Sequence, residues 1–299
     1  METEVAIIGG SFAGLAAALQ LVRGRRNVVV IDTGKPRNRF ASYSHGIFCL
    51  DGKSPDDIKA TALSQLQQYP TFTIIEEEAL YVERDVDSNF CIQVANGTNV
   101  FAKKIILATG VQDELPDIPG LAEHWGKSVI HCPYCHGYEL SDRELGVLAT
   151  SPISAHQAAM IPDWGTTTLF TQGKFTLDSA QLALLTKRGV KIEDTPITHI
   201  TGDGESITSV LLADASHRAI QGLYVAPKQR IIHSVVTSLN CDLEASAMGE
   251  IIKVNEFKET SVAGVYAAGD LSNPMQNGTF AIASGTMAGV SAHQSLMFA

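Results

Sequence analysis

The sequence is short of charge, of cysteine and of long apolar runs. Asp, Glu, Lys and Arg make up only 18% of the 299 residues, sparse for a fully solvated surface, so part of that surface is expected to lie under a partner subunit. Five cysteines are too few to staple a chain of this length, which excludes a disulfide-built extracellular scaffold. No apolar run nears the roughly 18–20 residues of a membrane span, so no membrane segment is expected. No basic stretch with a cleavage site precedes the first apolar run, so no secretory signal is expected, and the chain reads as cytoplasmic. Lys and Arg nowhere form a block: 22 of them stand against 32 Asp and Glu, a net charge of −10. That excludes nucleic acid as a partner, since phosphate binding needs clustered cations. What is plentiful is apolar. The 45% of hydrophobic residues supports substantial cores, in a length that suits two domains.

Against that background the stretch His131-Cys132-Pro133-Tyr134-Cys135-His136-Gly137 stands out. Two cysteines with two residues between them can close a small disulfide ring and open it again. The same spacing also makes half a zinc site. Zinc needs about four N or S ligands, usually from a second close pair. His131 and His136 flank the cysteines too tightly to complete a tetrahedron easily, and Cys49, Cys91 and Cys241 are scattered singly. A redox dithiol is the leading reading, with a structural metal and inert thiols as alternatives. No metal ligands are assigned.

At the N-terminus Val5-Ala6-Ile7-Ile8 reads as a buried strand by its unbroken apolar character. Gly9-Gly10-Ser11-Phe12-Ala13-Gly14 follows, then an Ala/Leu-rich helix to about Arg23 and a second apolar strand, 28–31, that ends at Asp32. This is the arrangement of a dinucleotide site. Gly9 permits the tight turn, the helix N-terminus faces a pyrophosphate, Gly14 lets helix and strand close up, and Asp32 can accept from ribose hydroxyls. Ser11 stands where the pattern has its second glycine, and is small enough to be tolerated. The plain alternative is a tight turn in an α/β protein.

Lys35-Pro36-Arg37-Asn38-Arg39 reads as a loop whose cations meet a phosphate or are simply solvated. Ser54-Pro55-Asp56-Asp57 is a helix start: a capping serine, proline in the first turn, acids at the positive end of the dipole. Strands are expected at 71–75, 79–82, 90–94 and 99–101, with turns at Asp87-Ser88-Asn89 and Asn96-Gly97. Another buried strand over 104–107 runs into Ala108-Thr109-Gly110, and Pro116, Pro119 and Gly120 then mark a domain boundary near residue 115.

A second strand-turn-helix unit begins at 145–149, but its turn, Ala149-Thr150-Ser151-Pro152-Ile153-Ser154, holds no glycine. Each side chain there narrows the space that a pyrophosphate shares with the backbone. After the next strand, 166–170, the 2′-phosphate of NADPH would favour arginine, and only Lys174 of Gln172-Gly173-Lys174 is offered. The unit keeps its architecture without the chemistry of nucleotide binding, so NADPH is doubtful. Residues 197–225 read as hairpins. Farther on, the strand Val265-Tyr266-Ala267 ends in Gly269-Asp270, which can aim a carboxylate at a sugar-like polyol. Gly278-Thr279-Phe280 leads into a small-residue helix over 281–294 whose N-terminus can face a polar ring edge.

In this order, Gly9–Gly14 with Asp32, the Thr109-Gly110 strand end, the Cys132 and Cys135 pair and the 264–270 segment resemble the low-molecular-weight thioredoxin reductases over essentially the whole chain. The resemblance implies an α/β fold of two Rossmann-like, three-layer ββα domains. A discontinuous FAD-binding domain takes residues 1–115 and 235–299; an inserted pyridine-nucleotide-type domain, 116–234, carries the dithiol. It also implies a homodimer. Positions expected to border FAD are Gly9, Gly10, Ser11, Phe12, Ala13, Gly14, Asp32, Arg39, His45, Val82, Thr109, Gly110, Gly269, Asp270, Thr279 and Phe280. The Pro36-Arg37-Asn38 loop and the run from Cys132 to Glu139 are similar to those of gliotoxin- and holomycin-type dithiol oxidases. Thioredoxin reductases usually carry an aspartate after the second cysteine; here His136 stands in that place.

By this resemblance Cys135 lies against the flavin and Cys132 faces the substrate. His136, whose ordinary pKa is about 6.5, suits a proton shuttle, with His131 as a second candidate. The function expected is FAD-dependent dithiol oxidation without NADPH, the flavin being reoxidised by oxygen or another acceptor. The substrate is a small-molecule dithiol or a thioredoxin-like protein. The alternatives are a thioredoxin reductase driven by NADPH or ferredoxin, and a flavin-binding sensor without turnover; the intact dithiol beside a histidine argues against the sensor.

Overall fold

The computed structural model describes residues 1–84 and 89–298, so the turn expected at Asp87-Ser88 lies outside the described residues. The strand β1 (Glu2–Ile8) is the centre of the first sheet. Its Val5, Ala6, Ile7 and Ile8 are apolar on both faces and fully buried, as in parallel strands that helices cover. It pairs in parallel with β2 (Val28–Ile31) on one side, and β2 in turn with β3 (Phe72–Ile75). On the other side lies β6 (Asn99–Leu107), the last strand of a meander formed with β4 (Ala79–Arg84) and β5 (Phe90–Val94).

The sequence suggests two strands within 99–107, and the structure has one. Its first half alternates exposed and buried residues in the antiparallel meander, and its last three residues are buried in the parallel core. The change in burial at Lys103 and Lys104 reads as a break and is not one. The helix α1 (Phe12–Arg23) covers one face, and α2 (Pro55–Leu66) follows, started by Ser54, whose Oγ accepts the Asp57 N–H at 3.0 Å.

The chain leaves this sheet through β7 (Gln112–Glu114). It then builds a second, parallel sheet, ordered β11-β10-β9-β15-β8. Its members are β8 (Val129–Ile130), β9 (Glu144–Leu148), β10 (Thr166–Phe170), β11 (Lys191–Glu193) and β15 (Gly222–Val225). The helices α3 (Pro133–His136), α4 (Ile153–Met160) and α5 (Ser179–Lys187) connect these strands. An antiparallel layer of β12 (Ile197–Gly202), β13 (Ile207–Leu212) and β14 (His217–Ala219) packs on it. The hairpin reading of 197–225 therefore holds only to residue 219. Gly222-Leu223-Tyr224-Val225 is buried throughout and returns to the parallel sheet beside β9. A short apolar run gives no local sign of which partner it will take.

The chain comes back through β16 (Lys228–Arg230), which pairs antiparallel with β7. Then come α6 (Ser234–Leu239), the hairpin β17 (Leu243–Ala245) and β18 (Glu250–Ile252), and β19 (Val265–Ala267). β19 pairs in parallel with β6, so the last segment completes the first sheet. The closing helix α7 (Gly278–Phe298) lies along α1; a side chain at Gly285 or Gly289 would run into the backbone of Ala13 or Ala17. Among the described residues no helix is long and apolar enough to cross a membrane.

Candidate functional site: a glycine-lined crevice and a dithiol

The carboxyl ends of β1, β6 and β19 and the N-termini of α1 and α7 converge on one crevice, the usual place for a ligand in an open α/β sheet. Gly9 turns the chain out of β1 at φ +103°, and a Cβ there would collide with the Ala108 carbonyl. Gly14 is pressed against the carbonyl of Gly9. A Cβ at Gly10 would stand 2.8 Å from the side chain of Asp32, so the missing side chain is what lets that carboxylate approach the turn. Ser11 sits at the N-cap of α1 without capping it, and no acidic residue lies in the first turn. Gly110, at φ +66°, ends the β6 side of the crevice, and Gly269, at φ +73°, ends the β19 side within 3.0 Å of the Ala13 methyl carbon, measured from an added Cβ.

The structure thus brings together Gly9, Gly10, Ser11, Ala13, Gly14, Asp32, Thr109, Gly110, Gly269 and Asp270. Phe12 and Ile47 meet at Gly278, and Thr279 Oγ1 reaches the Gly46 carbonyl at 3.4 Å, which joins the start of α7 to the loop around His45. Phe280, half-exposed, donates its N–H to Asn277 Oδ1 at 2.8 Å. Two of the expected residues have protein partners of their own. Val82 is buried in the core and donates its N–H to Ser238 Oγ. Arg39 bonds the Pro36 carbonyl and lies over the Phe40 ring. An extended dinucleotide needs backbone at close quarters, a free helix N-terminus and a carboxylate for a ribose. The glycine cradle that a Cβ would fill, the uncapped α1 and Asp32 fit that need.

The dithiol is closed as a Cys132–Cys135 disulfide with Cα atoms 5.3 Å apart. Cys132 is the N-cap of α3, and Pro133 at its first position starts the helix. Tyr134, between the cysteines, is 74% exposed and stands edge-on to Trp164, with ring centroids 5.6 Å apart. Gly137 is pressed against the Trp164 indole. Burial holds the His136 pKa below the ordinary imidazole value; the Glu139 carboxylate opposes that and His45 adds to it. His45 lies between Glu139, 3.4 Å from its Nε2, and Asp51, 3.5 Å from its Nδ1. His45 therefore stands beside the dithiol segment. His131 is also held below its ordinary value, first by burial and then by the Arg37 charge.

The turn of the second strand-turn-helix unit makes hydrogen bonds within the protein. Ser154 is buried, and its Oγ accepts the Thr150 N–H at 3.1 Å; Thr150 Oγ1 donates to the Ala226 carbonyl at 2.6 Å. Pro152 brings no N–H. The neighbouring cavity, between Ala149, Ser151, Leu169 and Phe175, has a volume of about 60 Å³. Ligand pockets run to about 300–1,000 Å³. Thr171 Oγ1 is tied to Asp194 at 2.6 Å, so a carboxylate stands near the end of β10.

Several partners escaped the sequence reading. Lys59 Nζ holds Asp32 Oδ2 at 2.6 Å, and Arg37 holds both Asp113 and Asp270. The sequence marks Arg37 as a loop cation for a phosphate or solvent and as part of the Pro36-Arg37-Asn38 loop, without pointing to these partners, and nothing local marks Asp113, Gln229 or Gln276. Trp164 and Glu139 likewise gain their places only through contact with α3.

The family model described as pyridine nucleotide-disulphide oxidoreductase matches residues 3–288. The thioredoxin reductase tcpT of Claviceps purpurea is 32% identical to this chain, over 98% of it and 94% of its own length. The thioredoxin reductase sirT of Leptosphaeria maculans is 31% identical over 96% and 92%. Among solved structures, an oxidoreductase from Agrobacterium tumefaciens superposes with a TM-score of 0.94 at 45% identity, covering 100% of this chain and 99% of that one. With a closed dithiol on one sheet and a glycine crevice on the other, the chain belongs to the pyridine nucleotide-disulphide oxidoreductase family, as a thioredoxin reductase-like flavoenzyme that uses FAD and acts on sulfur groups.

Proposed function

We propose that the chain is an FAD-dependent dithiol oxidase that works without NADPH. The observation that carries this reading is the second turn, where Ser154 Oγ accepts the Thr150 N–H and the Thr150 hydroxyl donates to the Ala226 carbonyl, at the place a nucleotide phosphate would need. The FAD-binding part is residues 1–115 and 235–299, and the part inserted at 116–234 carries the dithiol. Gly9, Gly10, Ser11, Gly14, Asp32, Thr109, Gly110, Gly269, Asp270, Thr279 and Phe280 would hold FAD. FAD held there would supply a two-electron acceptor for the reduced dithiol, reoxidised in turn by oxygen or another acceptor.

The residues of this chain perform the thiol exchange. A substrate thiolate attacks Cys132 Sγ; the new S–S bond forms as the Cys132–Cys135 bond breaks, and the electron pair leaves on Cys135. The second substrate thiol loses its proton to His136 and attacks the first substrate sulfur. Cys132 departs as a thiolate, and the substrate leaves as its disulfide. Two electrons then reside on the cysteine pair. His136 suits this role because burial keeps its imidazole neutral, and so able to accept a proton, at neutral pH. Tyr134, between the cysteines, and Tyr138, after them, are 74% and 84% exposed and suit a small apolar dithiol. Exposed Met287, Val290 and Met297 along α7 support a homodimer.

A thioredoxin reductase is the second reading, favoured by the names of tcpT and sirT. An oxygen electrode separates the two. The oxidase consumes oxygen on addition of dithiothreitol without NADPH, and Cys132→Ser and Cys135→Ser each abolish that consumption. Oxygen uptake that persists in both variants refutes the reading.

A further inference from the structure

A polar cluster built on Arg37 takes no part in the thiol exchange, though one of its members, Asp270, belongs to the crevice proposed for FAD. Arg37 opens a 3-10 turn, Arg37–Phe40, and its side chain is 21% exposed. Its Nε and Nη2 fork onto the Asp113 carboxylate at 2.7 and 2.6 Å. Its Nη1 donates to Asp270 Oδ2 at 2.9 Å and to Gln276 Oε1 at 2.5 Å. Gln276 and Gln229 exchange amide hydrogen bonds at 2.7 and 2.6 Å.

Asp113 and Gln229 are the middle residues of β7 and β16, and they face each other in register. These are the two strands through which the chain leaves the first sheet and returns to it. A two-stranded ribbon of three residues a side has little stability of its own. Here both side chains of its central pair are gripped by groups of the first sheet's loops, Arg37 and Gln276. A fork of two parallel N–H donors fixes orientation as well as distance, which a lysine cannot do. Burying a guanidinium between carboxylates adds little net stability, and its best-attested use is to specify one arrangement.

The grip lies next to the chemistry. His131, which precedes Cys132, has its Nδ1 3.4 Å from the carbonyl of Val225, just ahead of β16 (Lys228–Arg230), and the Tyr134 carbonyl lies 3.9 Å from where a Cβ on Gly46 would stand, in the loop that follows Arg37. The same 3-10 turn meets the inserted part again, where Gly126 leaves room for Phe40: an added Cβ would stand 2.5 Å from the Phe40 Cβ.

We infer that Arg37 is a positioning residue: by gripping Asp113 directly and Gln229 through Gln276, it fixes both connecting strands and so holds the His131–Cys135 segment against the crevice of the first sheet. The inference rests on the dithiol reading above for what the position is used for.

The test uses the flavin-loaded protein and three variants, Arg37→Met, Arg37→Lys and Asp113→Asn. Three quantities are read: hydrogen exchange in strands 112–114 and 228–230, flavin content, and the anaerobic rate at which dithiothreitol bleaches the flavin, over a range of concentrations. Exchange should rise in both strands together in Arg37→Met and Asp113→Asn. The saturating bleaching rate should fall by about tenfold or more, since small misplacements of reacting groups are that costly. The half-saturating dithiol concentration and the flavin content should hold, and Arg37→Lys should fall between. Unchanged exchange in both variants overturns the inference, and so does increased exchange with wild-type bleaching. So does flavin loss from Arg37→Met while Asp113→Asn behaves as wild type, because Arg37 would then serve Asp270 and the crevice alone. If dithiothreitol does not bleach the wild-type flavin, the dithiol reading itself fails, and the exchange comparison alone decides the grip.

Discussion

The two turns at 9–14 and 149–154 occupy the same place in the two sheets, each between a buried parallel strand and the helix that follows it. In the first, space is made by missing side chains. Gly9, Gly10 and Gly14 each sit where a Cβ would strike backbone or Asp32, and no side chain caps α1. In the second, the same space is filled. Ser154 takes the Thr150 N–H, Thr150 takes the Ala226 carbonyl, and Pro152 withholds a donor. Backbone donors can serve a phosphate or the chain itself, and not both. The fold tolerates either choice because the strands and helices on each side are held by apolar burial, which does not depend on the turn.

The largest effect expected is at the dithiol that lies between the two turns. Cys135→Ser should abolish dithiol turnover and keep the yellow flavin bound, as read by oxygen uptake and visible absorption. Next comes the open turn. Gly14→Val puts a side chain into the Gly9 carbonyl, so the purified protein should be colourless or unstable; a yellow, active Gly14→Val would show that the crevice is not the flavin site. His136→Gln should keep the flavin and lower the dithiol-dependent rate by about 10²-fold or more, the usual contribution of a positioned acid–base group. A rate within about threefold of wild type would remove His136 from the mechanism. In the closed turn, Ser154→Ala frees the Thr150 N–H without restoring glycine. It should leave dithiol turnover near wild type and NADPH oxidation absent; a gain of NADPH oxidation would show that one hydrogen bond was all that closed the site.

The smallest effect is on stability. His131, His136 and His233 are each held below the ordinary imidazole pKa, burial being the main cause. Below about pH 6.5 the unfolded chain therefore binds more protons than the folded one, and stability falls as pH falls. The melting temperature should drop between pH 7.5 and 5.5, and less steeply in His131→Gln. A flat or rising profile would contradict the burial of these rings.

Much of this was legible from local pattern. The Val5-to-Asp32 unit, the Ser54 helix start, the bare turn at 149–154 and the CxxC pair each carry their signal within a few dozen residues. What was not legible is set by contacts between distant segments. Arg37, Asp113, Asp270, Gln229 and Gln276 come from separate parts of the chain, and three-residue strands such as β7 and β16 have no periodicity to read. Lys59 reaches Asp32 from the next helix, which no spacing rule announces. β15 reads as the end of a hairpin because four apolar residues do not reveal a parallel partner. Val82 shows the converse: its strand was legible, while its place in the core depends on Ser238 and its neighbours on α6.

The contrast between the turns is tested most directly by an anaerobic titration of the yellow protein. Dithiothreitol is added to one cuvette and NADPH to another, and the visible flavin band is followed. The account predicts that dithiothreitol bleaches the band, NADPH leaves it, and air restores the colour. Rapid bleaching by NADPH would contradict the account, and would make the turn at 149–154 a working nucleotide site and the protein a thioredoxin reductase.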